Sequence, residues 1–427
     1  MKIFWIVFTV VISSFFYFPF EFTFLPKGFN TKIMIAIAGL PLMAYHMIVL
    51  HGFKFSRELA ISSMIALVFS IIGYYSVDYN HSDDYSYATY ISSMWIWFLA
   101  SYTVVTLIGY VHSYLSVRLV VNYLIAVCII QCALAILIDL VPAVKQVIDT
   151  YFFTTDLKFL EKTERLYGIG AALDVAGLRF GAVLIMIAVL LSTDTQIRHS
   201  QKIIFIYFIC FLLIGAIGNM ISRTTSVGMI IGVVYLIYAL NLIKTEVSIA
   251  EFRIWKIILF SVLIIVGLAV YFYNTNKEVH ELLRFGFEGF FNWVEKGKWY
   301  TDSTDKLNKE MWIWPQAGEI KTWLIGNAVF SEWHIVGTDI GYCRFVFYCG
   351  LTGLSVFILF FIYLSYSLYY RFQSVKNLFL LLLILTLINW IKVSTDTFLI
   401  YALFLSLSSP YLYQKFYKES TQNENSI

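Results

Sequence analysis

Residues 203–243 read IIFIYFICFLLIGAIGNMISRTTSVGMIIGVVYLIYALNLI, and their only charged side chain is Arg223. The stretch consists of two apolar runs, 203–220 and 225–243, joined by a short polar turn around Arg223. A helix needs about 20 apolar residues to cross the hydrocarbon layer of a membrane, so each run is long enough to span it. Because the runs are continuously apolar, without barrel-type alternation, they predict helices and not strands.

The composition of the whole chain agrees with this interpretation. Its 427 residues are 60% hydrophobic and only 13% charged, with a mean hydropathy of +0.77, whereas soluble domains are roughly 45–50% apolar and about 25% charged. This excludes soluble, disordered and disulfide-stapled proteins. The five cysteines form no CxxC pair and are predicted to be small apolar residues of the membrane core. No Lys/Arg-rich run indicates nucleic acid as a partner.

The chain is therefore predicted to be an all-α integral membrane protein with about twelve transmembrane helices. The predicted spans are 3–20, 32–51, 59–77, 88–110, 119–141, 177–193, 203–220, 225–243, 255–274, 341–370, 377–392 and 395–413. The first run resembles a signal sequence, but no small-residue cleavage site follows it, so we expect it to stay as a span.

Basic residues favour the inner side of a membrane and so predict the orientation. With the N-terminus inside, 13 of the 30 basic but only 6 of the 27 acidic residues are inner, a formal charge of +7 against −4 outside. Both termini are therefore expected to be cytoplasmic. The predicted organisation is a bundle of spans one to nine (1–274) with an outer loop at 142–176, a long periplasmic loop between spans nine and ten (275–340), spans ten to twelve (341–414), and a disordered cytoplasmic tail (415–427).

The long outer loop contains an amphipathic pattern. Apolar residues recur at helical spacing from Val279 to Val294, with Glu281, Arg284, Glu288 and Glu295 between them, which predicts an amphipathic helix. Six tryptophans also lie in the loop. Two interpretations stay open: a helix lying on the membrane interface, or a lid whose aromatic rings bind sugars.

Arginines at the predicted outer surface are the main candidates for chemistry. An arginine at the end of an apolar span is costly unless it reaches the interface or binds an anion, and its planar fork matches phosphate oxygens. Arg165 precedes the sixth span, Arg179 is at its outer end, and Arg223 has little freedom in its short turn. Arg284 and Arg344 are further candidates. These side chains are predicted to bind the pyrophosphate of a lipid-linked substrate or, alternatively, phospholipid headgroups.

Three other groups of polar residues allow alternatives. Asp339 is predicted either to accept a proton from a sugar hydroxyl, to pair with Arg344, or to cap the helix that follows. Asp83 and Asp84 could hold a divalent metal or belong to a solvated loop. Lys392 and Asp396 are functional candidates near lipid depth, or a simple pair across the outer turn.

No nucleotide, metal or other cofactor is expected. The sequence contains no GxxxxGK[ST] phosphate-binding loop, no His/Cys cluster with zinc spacing and no GxSxG motif. Any reaction at the outer face must therefore use an already activated substrate.

Three short motifs resemble those of the O-antigen polymerase and O-antigen ligase superfamily. Residues 165–180 (RLYGIGAALDVAGLRF) resemble the segment that leads into span six, and 222–224 (SRT) resembles the motif that follows span seven. Residues 338–342 (TDIGY) with 350–353 (GLTG) resemble the end of the long loop and the start of span ten. The layout of spans and long loop is also similar over the whole chain.

The resemblance implies a GT-C-like glycosyltransferase in the bacterial cytoplasmic (inner) membrane, with membrane lipids around it. Its donor would be a glycan on undecaprenyl pyrophosphate, bound by Arg165, Arg179 and Arg223. A polymerase transfers the growing chain to a new lipid-linked repeat unit, and a chain-length regulator is a further candidate partner. A ligase transfers the chain to lipid A–core.

The end of the long loop favours the polymerase. Ligases of the family carry a catalytic histidine there, where this chain has Thr338 and Asp339 and the nearest histidine is His334. Asp339 or His334 would then be the catalytic group. A lipid-linked oligosaccharide transporter is the non-enzymatic alternative, although the charges gather at the outer ends of the spans and not at the midplane where transporters bind their substrates.

Overall fold

A computed structural model describes residues 1–49, 54–153, 160, 165–240 and 249–417, and these residues are mostly helical. In chain order the elements are α1 Lys2–Tyr17, β1 Glu21–Phe22, α2 Thr31–Val49, α3 Arg57–Asn80, α4 Tyr90–His112, α5 Val117–Leu140, α6 Pro142–Tyr151, β2 Phe152–Phe153, α7 Leu173–Thr193, α8 Thr195–His199, α9 Gln201–Ile221, α10 Thr225–Ala239, α11 Ile249–Thr275, α12 Lys277–Gly286, α13 Glu288–Lys296, α14 Asp302–Glu310, α15 Ile320–Leu324, α16 Trp333–Val336, α17 Gly341–Arg371, α18 Lys376–Asn389, α19 Phe398–Leu407 and α20 Pro410–Phe416.

The apolar helices confirm an all-α, multi-pass membrane protein. Among the described residues, eight helices are long and apolar enough to cross a membrane: α2, α3, α4, α5, α7, α9, α11 and α17. Shorter apolar helices occupy the other four predicted runs: α1, α10, α18 and α19. That all twelve cross stays a prediction. Helix α20 ends at Phe416, within the predicted tail 415–427, and residues 418–427 of that tail lie outside the described part of the chain.

Helix α7 forms the centre of the bundle. Every residue from Ala176 to Leu191 is buried, as expected for a helix that is apolar on all sides. It packs against α5, α9, α10 and α18. Asp174 in its first turn, with a side chain 23% exposed, lies at the edge of this packed region.

Helices α7 and α10 cross at unusually close range because glycines face each other. A Cβ added to Gly228 would lie 2.2 Å from the Cα of Gly181, and one added to Gly177 would lie 2.7 Å from the Ser222 Oγ. Small residues spaced in this way let helix backbones touch within a membrane, where packing drives association. The contact holds the 222–224 turn, and with it Arg223, against the start of α7.

The predicted amphipathic helix is present, but it is broken. It forms two helices, α12 and α13, which meet at the non-helical residue Phe287. We call them the amphipathic pair. Arg284 on α12 makes two hydrogen bonds to Glu295 on α13, at 2.7 and 2.8 Å, and these connect the pair across the break.

Two contacts between distant segments show which helix ends share a side of the bundle. Strands β1 and β2 pair antiparallel, Glu21 with Phe153 and Phe22 with Phe152, so the ends of α1 and α5 lie on one side. Leu115 forms a bridge with Tyr417, so the turn after α4 and the end of α20 also lie together. The predicted topology also places each of these two pairs of helix ends on a shared side of the membrane. Which side faces outward stays a prediction.

Candidate functional site

The Asp174 carboxylate connects three elements at one end of the bundle. It lies in the first turn of α7, where the helix dipole favours a negative charge. It accepts hydrogen bonds from the Ser222 Oγ at 2.9 Å, the Thr224 Oγ1 at 2.5 Å and the Lys392 Nζ at 2.8 Å. The turn that carries Arg223 is therefore fixed on both flanks, and the charge of Lys392 is balanced.

Two of the predicted arginines lie against one aromatic ring. The guanidinium carbons of Arg223 and Arg165 are 4.8 and 5.1 Å from the centroid of the Phe285 ring on α12. Arg223 also forms an ion pair with Glu288, the first residue of α13. Burial lowers the pKa of Arg165, Asp174 opposes this, and the charge of Arg223 lowers the pKa further.

A cavity of about 420 Å³ opens beside Arg223. Its cationic wall is formed by Arg223 and Lys392. The other walls are mainly apolar, with side chains of α10, the amphipathic pair and the segment after it: Val227, Met229, Ile230, Phe287, Phe290, Trp299 and Leu307. Hydroxyl side chains also line the cavity: Thr224, Ser226, Thr301, Ser303 and Thr304. Cationic side chains beside mainly apolar walls suit an amphiphile with an anionic headgroup.

Arg179 belongs to a different cluster from Arg165 and Arg223. It lies five residues after Asp174, so the two side chains point roughly 140° apart around α7. Its guanidinium carbon is 5.8 Å from the Phe18 ring and 5.9 Å from the Trp97 ring, and the Lys32 Nζ lies 4.4 Å above the same Trp97. That Arg179 binds the same pyrophosphate as Arg165 and Arg223 stays a prediction.

Asp396 is the carboxylate of this second cluster. It accepts hydrogen bonds from the Phe398 N–H at 2.8 Å and the Tyr90 OH at 3.3 Å. The charges of Lys32 and Arg179 also act on this carboxylate.

The link between α18 and α19 contributes to both clusters. Lys392 binds Asp174, whereas Asp396, four residues later, interacts with Lys32 and Arg179. The alternative that Lys392 and Asp396 simply pair with each other is therefore wrong. Between them, the Ser394 Oγ accepts a hydrogen bond from Arg344 at 3.4 Å and its carbonyl accepts one from Tyr87 at 3.1 Å.

The remaining predicted residues lie apart from the cavity walls. Arg344 donates to the Phe330 carbonyl, and its guanidinium carbon is 4.1 Å from that residue's ring centroid. Arg284 is held by Glu295. His334 is exposed, with its Nε2 3.6 Å from Glu332. Asp339 does not cap α17, whose capping position is Ile340.

Asp84 anchors a loop, which neither of its predicted roles included. One oxygen accepts hydrogen bonds from the Phe330 and Ser331 N–H groups, and the other accepts from Ser86. Burial alone would raise the pKa of Asp84, but these hydrogen bonds lower it. Across the described residues, no group of three or more His, Cys, Asp or Glu is placed to hold a metal ion.

Two acidic residues of the site were not singled out in the sequence. Asp174 lies inside the 165–180 motif and was detectable as an acid at the start of an apolar run, which is costly without a partner. Glu288 was visible only as one polar residue of an amphipathic pattern. Its pairing with Arg223 depends on the break at Phe287.

Comparisons of the chain with models of protein families, with curated proteins and with solved structures find no match. The chemistry of the site must therefore be argued from its own geometry. Lys392 and Arg165 interact with the Asp174 carboxylate, and Arg223 pairs with the Glu288 carboxylate, at the end of an apolar bundle.

Proposed function

We propose that this chain is a polymerase of O-antigen or another surface polysaccharide in the bacterial inner membrane. It transfers a growing glycan from undecaprenyl pyrophosphate to an acceptor lipid-linked repeat unit at the periplasmic face. The proposal includes twelve spans with cytoplasmic termini and a GT-C-like architecture. The observation that carries it is the 420 Å³ cavity, which combines Arg223 and Lys392 with apolar walls.

The cavity suggests how the donor would bind. The pyrophosphate lies at Arg223 and Arg165, and the first part of the polyprenyl tail follows the apolar face of α10 at Val227 and Ile230. The cations neutralise the charge that develops on the leaving pyrophosphate, so neither ATP nor a metal ion is required.

The reaction forms one glycosidic bond and breaks one bond to phosphate. A hydroxyl of the acceptor sugar attacks C1 of the donor sugar, with oxocarbenium character in the transition state. The C1–O bond to pyrophosphate breaks, and the electron pair leaves with undecaprenyl pyrophosphate. Asp339 is the proposed acceptor of the hydroxyl proton. His334, the other predicted catalytic group, is exposed beside Glu332.

Deletion of the gene in its host tests the proposed function. Loss of a polymerase should leave lipid A–core carrying a single repeat unit, visible as one short band where the wild type has a ladder. Loss of a ligase would leave bare core with polymer on its lipid carrier, and loss of a transporter would leave bare core without outer polymer. A normal long-chain ladder in the deletion strain contradicts the proposal.

The orientation is tested by cysteine labelling in intact cells. Asn308 is exposed on α14, within the predicted periplasmic loop, so Asn308→Cys should react with a membrane-impermeant thiol reagent. Ser374 is exposed in the predicted cytoplasmic turn between α17 and α18, so Ser374→Cys should react only after the cells are opened. The unmodified chain measures the background of the native thiols. The reverse pattern would show that the orientation is inverted.

A further inference from the structure

Glu288 forms an ion pair with Arg223, the arginine that is proposed to bind the donor pyrophosphate. Its carboxylate is paired with the Arg223 guanidinium, and the two side chains are only 25% and 17% exposed. Phe285, three residues earlier, covers the guanidinium groups of both Arg223 and Arg165. The binding site therefore carries its own anion.

The position of Glu288 is held by contacts within the amphipathic pair. Arg284 and Glu295 form their two hydrogen bonds across the break at Phe287. The ring of Phe291 stacks on Tyr273 at the end of α11, with the centroids 5.5 Å apart and the planes 12° from parallel. These contacts fix where α13 begins and so direct the Glu288 carboxylate toward Arg223.

An internal anion on Arg223 changes the free energy that an external anion gains by binding there. A cation at a membrane surface is surrounded by phospholipid headgroups with one negative charge. Exchanging the Glu288 carboxylate for such a headgroup replaces one charge by another, so the net gain is small. A diphosphate carries more than one charge and can engage Arg223 and Arg165 together. Its binding free energy is therefore favourable even after the Glu288 carboxylate has been displaced.

We infer that Glu288 is an internal counter-anion that sets the affinity an external anion needs: it keeps monoanionic phospholipid headgroups off Arg223, whereas a diphosphate, which also engages Arg165, still binds. The inference rests on the proposed function, because it concerns the same site. It adds that the selection comes from an acidic residue of the outer loop as well as from the arginines.

The test compares two lipid headgroups in one assay. The full chain is placed in nanodiscs of phosphatidylcholine, and the apparent affinities for added undecaprenyl diphosphate and phosphatidylglycerol are measured by native mass spectrometry. Wild type should prefer the diphosphate. Glu288→Gln should raise both apparent affinities about tenfold, so that phosphatidylglycerol becomes measurably bound, because a neutral amide no longer competes for Arg223.

Glu281→Gln is the matched control. Glu281 is exposed on α12, so this change removes the same charge from the same amphipathic pair without touching Arg223. It should keep both wild-type affinities. Affinities that rise equally in both variants would mean that net charge alone matters, and the inference would be wrong.

The remaining outcomes separate this inference from the proposed function. If wild type prefers the diphosphate and Glu288→Gln leaves both affinities unchanged, or lowers them, Glu288 has only a structural role and the inference fails alone. If wild type shows no preference for undecaprenyl diphosphate, donor binding at this site fails and the inference fails with it.

Discussion

Arg223→Ala should abolish the long-chain ladder while the protein still accumulates in the membrane. Arg223 is the cation that joins the cavity, the Phe285 ring and Glu288, and alanine provides no charge for the leaving pyrophosphate. Loss of one such group commonly lowers a rate about 100-fold or more. Arg223→Lys keeps the charge but loses the planar guanidinium fork, so its activity should lie between those of wild type and Arg223→Ala. The measurement is the length distribution of surface glycan from complemented deletion cells.

Arg371→Ala is the control for this experiment. Arg371 also packs on an aromatic ring, with its guanidinium carbon 4.0 Å from the Tyr413 ring centroid. It is the last residue of α17, on the predicted cytoplasmic side and away from the cavity. It should therefore complement the deletion as well as wild type does. A full ladder from Arg223→Ala at normal protein level would remove Arg223 from the site and leave the proposed donor geometry without its main support.

The helices could be predicted from the sequence because the requirements for a membrane span concern only the residues of that span. A span must satisfy its own backbone hydrogen bonds and be apolar over about 20 residues, whatever its neighbours are. Each of the twelve predicted runs accordingly contains an apolar helix. The break at Phe287 was not predictable in this way, because the apolar period continues through it.

The candidate site was predictable one residue at a time but not as an arrangement. Arg223 stands out in the sequence as one charge between two apolar runs. Its neighbours Asp174 and Lys392 are 218 residues apart along the chain, and only the packing of α7 brings them together. Arg179 was grouped with Arg223 by its position at the end of a span. The side of α7 on which it lies depends on where that helix begins, which the apolar run does not define.

The contact of Gly228 with Gly181 leads to the second large effect. Gly228→Ala should lower the melting temperature of the purified protein, followed in detergent by size-exclusion chromatography of heated samples. The added Cβ would lie 2.2 Å from the Gly181 Cα, and a backbone atom cannot rotate away as a side chain would. Overpacking of this kind costs about 1–3 kcal/mol, which exceeds the roughly 1 kcal/mol that alanine gains over glycine in a helix. Gly228→Leu should prevent accumulation of folded protein.

Gly267→Ala separates the packing effect from the helix preference. Gly267 lies in α11, and an added Cβ there would meet no atom within 4 Å, so this variant should melt at or slightly above the wild-type temperature. Equal melting of the two alanine variants would show that α7 and α10 do not cross closely.

Gly228→Ala should also lose more activity than its stability alone explains, because parting the two helices moves the 222–224 turn away from Gly177 and Asp174. Arg223 would then leave the cavity wall even in molecules that remain folded.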